Sequence, residues 1–389
     1  MTEKRIGIFV NYGWLSISPS LVSTIRLLTE DGYFIDVVYL YDEQFGLFEP
    51  ESDRVNAVAI RNFKNKYLRK CFSLLQLLVS AFRIAGWQKY RFFVGVDQGG
   101  VITAGILSKV KKTPYIYYSL EMLTRESIDK TKTAKRLFLR CKKFLETYFS
   151  RRADRIIIQD KYRAGFLTED NMLDKKKILI VPNSFYFLAK DNIDYGISYL
   201  QIPLDKKIVI CTGTVSPITQ IDEIVKSINL WHSDAVFLIH TSYITIYLDE
   251  IRQYIEQNKL EHKIFISTKR LNFGEVSSLI RKADIGIALY KSVDMNRHLC
   301  PSGKVSFYLA MGIPIIVNDI PILRDFVDEY KCGMYVKTPK EIGEAIRIIL
   351  NDYSSFCVNA SRCYNQELNF PKHFKKVTEY IRGFSQICE

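Results

Sequence analysis

Twelve short runs of β-branched, aliphatic and aromatic residues recur along the chain at intervals wide enough for a helix. This spacing constrains the fold more than any other feature. Six runs come first: RIGIFV (5 to 10), FIDVVYL (34 to 40), FFVGV (92 to 96), YIYY (115 to 118), RIIIQ (155 to 159) and ILIV (178 to 181). Residues 187 to 205 then break the pattern with polar residues, Gly196 and Pro203, as a linker does. Six more runs follow: KIVIC (207 to 211), AVFLIH (235 to 240), KIFIS (263 to 267), IGIAL (285 to 289), PIIVN (314 to 318) and MYV (334 to 336). Strand alternating with helix implies a parallel sheet covered by helices on both faces. The expected fold is α/β, with two doubly wound Rossmann-like domains facing across a cleft. They would span 1–186 and 206–370, joined by the 187–205 linker. The last stretch, 371–389, reads as a helix free to pack back on the first domain.

A chain of 389 residues exceeds one ordinary core, which agrees with two domains. The apolar run after the N-terminus is about five residues long, a first strand rather than the core of a secretory signal. The eight cysteines form no C-x-x-C pair and do not cluster with histidine, so no zinc site is expected and the thiols should be reduced, as in a cytoplasmic protein. Charge is uneven. Up to Tyr186 there are 31 Lys and Arg against 19 Asp and Glu, and beyond it 24 against 23, so nearly all of the +13 lies in the first half. That half should face something anionic.

PSGKVSFYLAMGIPIIV (301 to 317) places Ser302, Gly303 and Lys304 at the first turn of a helix that Gly312 and Pro314 end. It is not a P-loop, because His298 and Val305 stand where that motif needs Gly and Ser or Thr. A helix N-terminus still offers free N–H groups and the positive end of the dipole to a phosphate, and Lys304 adds a full charge. The alternative is an N-capping Ser beside a solvated Lys.

Together with STKRLNFGEVSSLIRKADIGIALY (267 to 290), this run resembles the nucleotide-binding half of a GT-B glycosyltransferase, of the broad group that includes glycosyltransferase family 4. Lys304, Tyr308, Leu309, Ala310, Gly312 and Pro314 match the K-x-x-x-Y-L-A-x-G-x-P pattern of that group in order. The resemblance is strong over 267 to 318; elsewhere it rests on the two-domain pattern, on VPNS (181 to 184) and on the turn CTGTVS (211 to 216). It implies that the first domain takes the acceptor and the second a nucleotide-sugar, the only co-substrate, with no cofactor. Ser302, Gly303 and Lys304 would grip the diphosphate, Thr212, Gly213 and Thr214 would face the phosphates, and Lys269, Arg270 and Leu271 would meet the base. Two glutamates common in that group are replaced by Leu299 and Phe307, and the usual Arg and Lys after the glycine turn are missing from VSPITQ. Asp294, Asn296 and Ser306 are therefore the candidates for sugar and ribose.

Open α/β sheets bind ligands at the carboxyl ends of their strands. In the first domain that places Asn11 to Gly13, Asp97 to Gly100 and Glu121 at the site. Glu121 stands where the family often has His, and would touch the donor sugar or the acceptor hydroxyl, acting as base if the reaction inverts. Asp97 is the second catalytic candidate. Against these readings, Glu121 could simply start a helix, and Asp97 could be a turn residue. No D-x-D follows a strand, so metal-independent chemistry is expected, with leaving-group charge falling to Lys304.

In residues 67 to 93, apolar side chains at 68, 71, 72, 75, 78, 79 and 82 make a helical stripe with basic and aromatic flanks. Its charge-free core, Cys71 to Phe82, is too short to cross a bilayer, but the stretch suits an interfacial helix. An ordinary packed helix with a basic face is the alternative. No nucleic-acid-binding motif is present, so nucleic acid is not expected as partner. The whole reads as a peripheral transferase at the cytoplasmic face of a bacterial membrane. It would use a UDP-sugar and a lipid-linked glycan acceptor in surface polysaccharide synthesis. A nucleotide-sugar epimerase and a non-catalytic glycosyltransferase-like subunit are the alternatives.

Overall fold

The structure is a computed structural model describing residues 4–61, 63, 66–186, 196 and 198–387. The chain divides into two compact units. The first opens with β1 (Arg5–Val10), α1 (Pro19–Glu30), β2 (Phe34–Tyr41), β3 (Val55–Arg61) and α2 (Lys66–Ala85). It continues through β4 (Phe92–Val96), α3 (Asp97–Lys111), β5 (Tyr115–Tyr118), α4 (Arg125–Asp129), α5 (Thr133–Arg152), β6 (Arg155–Ile158), α6 (Lys161–Asn171) and β7 (Ile178–Ile180). The seven strands form one parallel sheet in the order β3-β2-β1-β4-β5-β6-β7. The residues of β4 and β5 are all buried, as expected where helices cover both faces of a parallel sheet.

The second unit, Asn183–Asn369, contains β8 (Lys207–Thr212), α7 (Ile221–Ser227), β9 (Ala235–His240), α8 (Ile246–Gln257), β10 (Ile264–Ser267), α9 (Phe273–Arg281) and β11 (Ile285–Ala288). After these come α10 (Met295–His298), α11 (Gly303–Ala310), β12 (Ile315–Asn318), α12 (Pro321–Tyr330), β13 (Gly333–Val336), α13 (Ile342–Asn351) and α14 (Tyr353–Cys363). Its six strands are also parallel, in the order β10-β9-β8-β11-β12-β13. Each sheet reverses its winding once, between β1 and β4 in the first unit and between β8 and β11 in the second. These are the switch points at which such sheets open a crevice.

Three details depart from the sequence reading. Strand β3, VNAVAIR, was not expected. It is a half-exposed edge strand whose Asn and two alanines weaken the apolar signal. Residues 183 to 186, assigned to the first domain by their sequence, belong to the second unit. There Asn183 Nδ2 donates to the Pro301 carbonyl at 3.0 Å, and the Phe185 ring lies 4.4 Å and 4.5 Å from the rings of Phe307 and Phe273. Of the expected linker, residues 187–195 and 197 lie outside the described residues. Residues 198 to 202 pack into the second unit, where Tyr199 pairs with Ser267 Oγ at 2.8 Å and Leu200 and Ile202 meet the core.

The last helix, α15 (Phe370–Ile387), belongs to the first unit. Phe370, Phe374, Val377 and Ile381 are buried at helical spacing, and Tyr380 and Phe384 meet Phe92 edge-on.

Candidate functional site

In the second unit the switch point is built from the ends of β8 and β11 and the start of α11. Strand β11 passes under α11 through Gly286, where a Cβ would stand 2.2 Å from the Tyr308 ring. The space so left lets Tyr308 reach across the sheet, and its hydroxyl accepts the Thr212 N–H at 3.0 Å. The next N–H, of Gly213, donates to the His240 carbonyl at 2.9 Å. Gly213 turns with φ +92°, a left-handed conformation that favours glycine, and a Cβ there would stand 3.2 Å from Lys304 Cε. The turn is thus fixed from both sides and leaves room for Lys304.

Lys304 Nζ lies 3.8 Å from Cys211 Sγ and 5.6 Å from the centre of the Tyr290 ring. It is half-buried and meets no carboxylate among the described residues. Beside it the N–H groups of Gly303 and Lys304, first in α11, have no intrahelical acceptor. A half-buried ammonium, two free amides and a helix N-terminus therefore converge on the glycine turn. That arrangement can hold a dianion.

The serines expected beside Lys304 are otherwise engaged. Ser302 caps α11, accepting the Val305 N–H at 3.4 Å, and shares a 2.7 Å hydrogen bond with the Tyr290 hydroxyl. Ser306 Oγ donates to the Gly303 carbonyl at 2.8 Å. Asp294 is exposed and caps α10 through the Arg297 N–H at 2.9 Å. Asn296 follows it in α10, and Thr214 is exposed beyond Gly213.

Lys269 and Arg270 are exposed after β10, and Leu271 packs against the core. Lys269 Nζ sits 3.6 Å from the centre of the Tyr199 ring. From there a chain of hydrogen bonds runs inward, Tyr199 to Ser267 at 2.8 Å and Ser267 to His240 Nδ1 at 3.1 Å. Burial pushes the His240 imidazole down to about 4, so it is neutral at physiological pH. Sequence reading missed Tyr199, His240, Ser267 and Tyr290. His240 and Ser267 end strand runs, and Ser267 and Tyr290 bound the 267 to 290 segment, but nothing local singles them out.

In the first unit, Gly99 packs so closely on Asn11 that a Cβ would fall 2.4 Å from its side chain, drawing the start of α3 onto the end of β1. Asp97 begins α3 in a left-handed conformation, φ +54°. Its Oδ1 accepts the N–H groups of Leu120 and Glu121 at 2.6 and 2.8 Å. The carbonyls of the same two residues are held as well, Leu120 O accepting from buried Arg163 at 2.5 Å and Glu121 O from Gln98 Nε2 at 2.6 Å. Burial pushes the Asp97 carboxyl up to about 8, against the pull of these hydrogen bonds. Asp97 is thus a buried clamp on the backbone, and the side chain it presents to solvent is Glu121. Gly13 packs on Asp42, where a Cβ would fall 2.3 Å away. Asn11 Oδ1 and the Tyr12 hydroxyl are buried there with no hydrogen-bond partner among the described residues.

Residues 254–380 match the family described as glucosyltransferase 3-like, C-terminal domain. No curated protein matches the chain in sequence. Among solved structures, Anabaena HepE in complex with UDP-glucose aligns over 97% of this chain and 99% of its own, with TM-score 0.71 and 14% identity. Sucrose-phosphate synthase from Thermosynechococcus elongatus aligns over 99% and 100%, with TM-score 0.75 and 12% identity. A glycosyltransferase from Rickettsia africae aligns over 98% of both chains, with TM-score 0.68 and 12% identity. This chain has the GT-B fold.

Within this GT-B chain, the two positions that the sequence resemblance sets against the family 4 glutamates are apolar in environment as well as in identity. Leu299 is 7% exposed, and Phe307, 5% exposed, stacks edge-on with Phe185 and Phe273. Neither position could take a carboxylate without stranding a charge in the core.

Proposed function

We propose that the protein is a glycosyltransferase that moves a sugar from a nucleotide-sugar, with UDP as the nucleotide, to a glycan acceptor. The observation that carries this reading is Lys304, half-buried without a carboxylate, converging with the N-terminus of α11 on Gly213 at the β8/β11 switch point. The family match over 254–380 and the UDP-glucose bound to HepE support it.

In this reading the Gly303 and Lys304 amides and Lys304 Nζ hold the diphosphate and take up leaving-group charge without a metal or cofactor. Lys269, Arg270 and Leu271 meet the base, and Asp294 and Asn296 are the candidates for ribose and sugar. Ser302 and Ser306 act by shaping α11, since their hydroxyls are engaged within it. The first unit takes the acceptor, with Glu121 touching its hydroxyl and Asp97 positioning Glu121. Asn11 Oδ1 and the Tyr12 hydroxyl, without hydrogen-bond partners among the described residues, support a ligand at that end of the sheet. The acceptor is carried on a membrane lipid at the cytoplasmic face, and the product is a bacterial surface polysaccharide. No helix of the described residues is long and apolar enough to cross a membrane.

A panel of UDP-, GDP-, ADP-, CMP- and TDP-sugars in thermal unfolding tests the donor site. Ligand at about 100 times Kd stabilises by roughly 2.7 kcal/mol. UDP-sugars should raise the Tm of the wild type and leave Lys304→Ala unmoved. Stabilisation that survives in Lys304→Ala would remove the diphosphate assignment. The apolar Leu299 and Phe307 keep a second reading in view, a binding subunit without catalysis; it predicts nucleotide binding without release of UDP when acceptor is supplied.

A further inference from the structure

The first unit has a surface to which the proposed sugar transfer assigns no residue. On α5, Leu137, Phe138, Cys141, Phe144 and Leu145 follow the spacing of one helical face, the pattern that normally turns to the core. All five are exposed, Leu137 by 69% and Phe144 by 70%. The buried face of α5 carries Lys143, Glu146, Thr147 and Ser150 together with Phe149. Over its middle this helix is apolar outward and largely polar inward. The inner polar groups are paired, with Glu146 accepting the Tyr117 hydroxyl at 2.7 Å and Lys143 held by Asp170 at 2.6 Å. The outward apolar face therefore belongs to a helix anchored by other means.

Beside that face is a cavity of about 480 Å³ between α4, α5 and the end of α6, lined by Arg125, Arg140, Lys143, Arg151 and Arg152 with one carboxylate, Asp129. Asp129 pairs with Arg140 at 2.8 Å, and Asp170 serves Lys143 and Arg125. Arg151 and Arg152 meet no carboxylate among the described residues; Arg152 Cζ lies over the Tyr148 ring, 3.6 Å from its centre. Phe144 and Met172, exposed by 70% and 56%, also line the cavity. Helices α2 and α5 flank α3 in one layer on the sheet, and α2 also turns Phe72, Leu75 and Val79 to solvent. The side chains at 68 and 71, part of the expected α2 stripe, lie outside the described residues.

Exposed aliphatic and aromatic side chains next to unneutralised guanidinium groups match the two halves of an anionic lipid, acyl chain and phosphate. Nucleic acid would use the cations and aromatic rings but has no use for Leu137 and Leu145. We propose that α5 lies in the headgroup region of an anionic bilayer with Leu137, Phe138, Phe144 and Leu145 among the acyl chains, while the cavity holds a lipid phosphate on Arg151 and Arg152. This deepens the membrane-facing part of the proposed function and rests on that reading for its purpose. Because it is measured by lipid binding, it stands or falls separately from the donor site.

The test uses the full chain with vesicles of phosphatidylcholine, alone or mixed with phosphatidylglycerol, in cosedimentation at two salt concentrations. Binding should need phosphatidylglycerol and weaken with salt. Arg151→Gln with Arg152→Gln should lower the partition roughly tenfold or more, because each basic residue near an anionic surface contributes about 1 kcal/mol. Phe144→Ser with Leu145→Ser should lower it similarly, while the Tm of both variants stays at the wild-type value. Independently of any loss, Phe144→Trp should shift its emission to the blue on mixed vesicles. Equal binding to phosphatidylcholine alone would overturn the proposal. So would full binding by both double variants, loss of binding only when Phe72 and Leu75 are changed, or capture by single-stranded RNA without vesicle binding.

Discussion

Asp97 shows how a residue can be rightly placed by sequence and yet play a different part. It lies at the carboxyl end of β4, as the strand pattern predicts, but its carboxylate is buried on two backbone amides rather than offered to a ligand. With its carboxyl pushed up to about 8, the folded chain binds this proton more tightly than the unfolded chain, where aspartate titrates near 3.9. Its contribution to stability is therefore complete below about pH 4 and is lost as pH rises through 8. Asp97→Asn retains an acceptor for both N–H groups and should flatten the change of Tm between those values. Asp97→Ala should cost about 1 to 3 kcal/mol for each buried amide it strands. If the pH profile of Tm is the same in Asp97→Asn as in the wild type, another group governs it.

Among the elements, α11 was legible because its signals are local: a capping Ser, a Lys in the first turn and Gly312 at φ +70° beyond its end. Strand β3 was not, because an edge strand with one face uncovered needs no continuous apolar run. The outward apolar face of α5 is invisible in periodicity alone, which locates a stripe but not the side that is buried. For α15 the stripe does turn inward, and the helix stabilises the unit to which β1 to β7 belong. Phe374, 1% exposed and stacked with Phe370, makes the point testable. Phe374→Ala should destabilise by about 3 to 5 kcal/mol, seen as a lower Tm and as faster amide exchange in β7 and α1. Exchange that rises only in β8 to β13 would assign α15 to the other unit.

At the scale of the molecule, two parallel sheets each carry a switch point, and the proposed function divides donor and acceptor between them. Cations concentrate in the first half of the chain, where the acceptor and membrane are proposed to bind, and the proposed donor grip lies in the electrically balanced half. Hydrogen exchange should resolve this division. A bound UDP-sugar should protect residues 210 to 216 and 299 to 310 before any peptide of the first sheet, whereas protection centred on residues 97 to 121 would move the donor site to the first unit. The alternation of strand and helix, the parallel sheets and the helix start at Ser302, Gly303 and Lys304 are local or periodic properties, so the sequence by itself determined them. Other features arise only when distant segments meet. Tyr308 reaching Thr212 through the space at Gly286, Asp97 clamping Leu120 and Glu121, and Phe185 joining Phe273 and Phe307 all depend on close packing across the fold. Which face of α5 is buried was decided there too, because burial is a property of neighbours rather than of spacing.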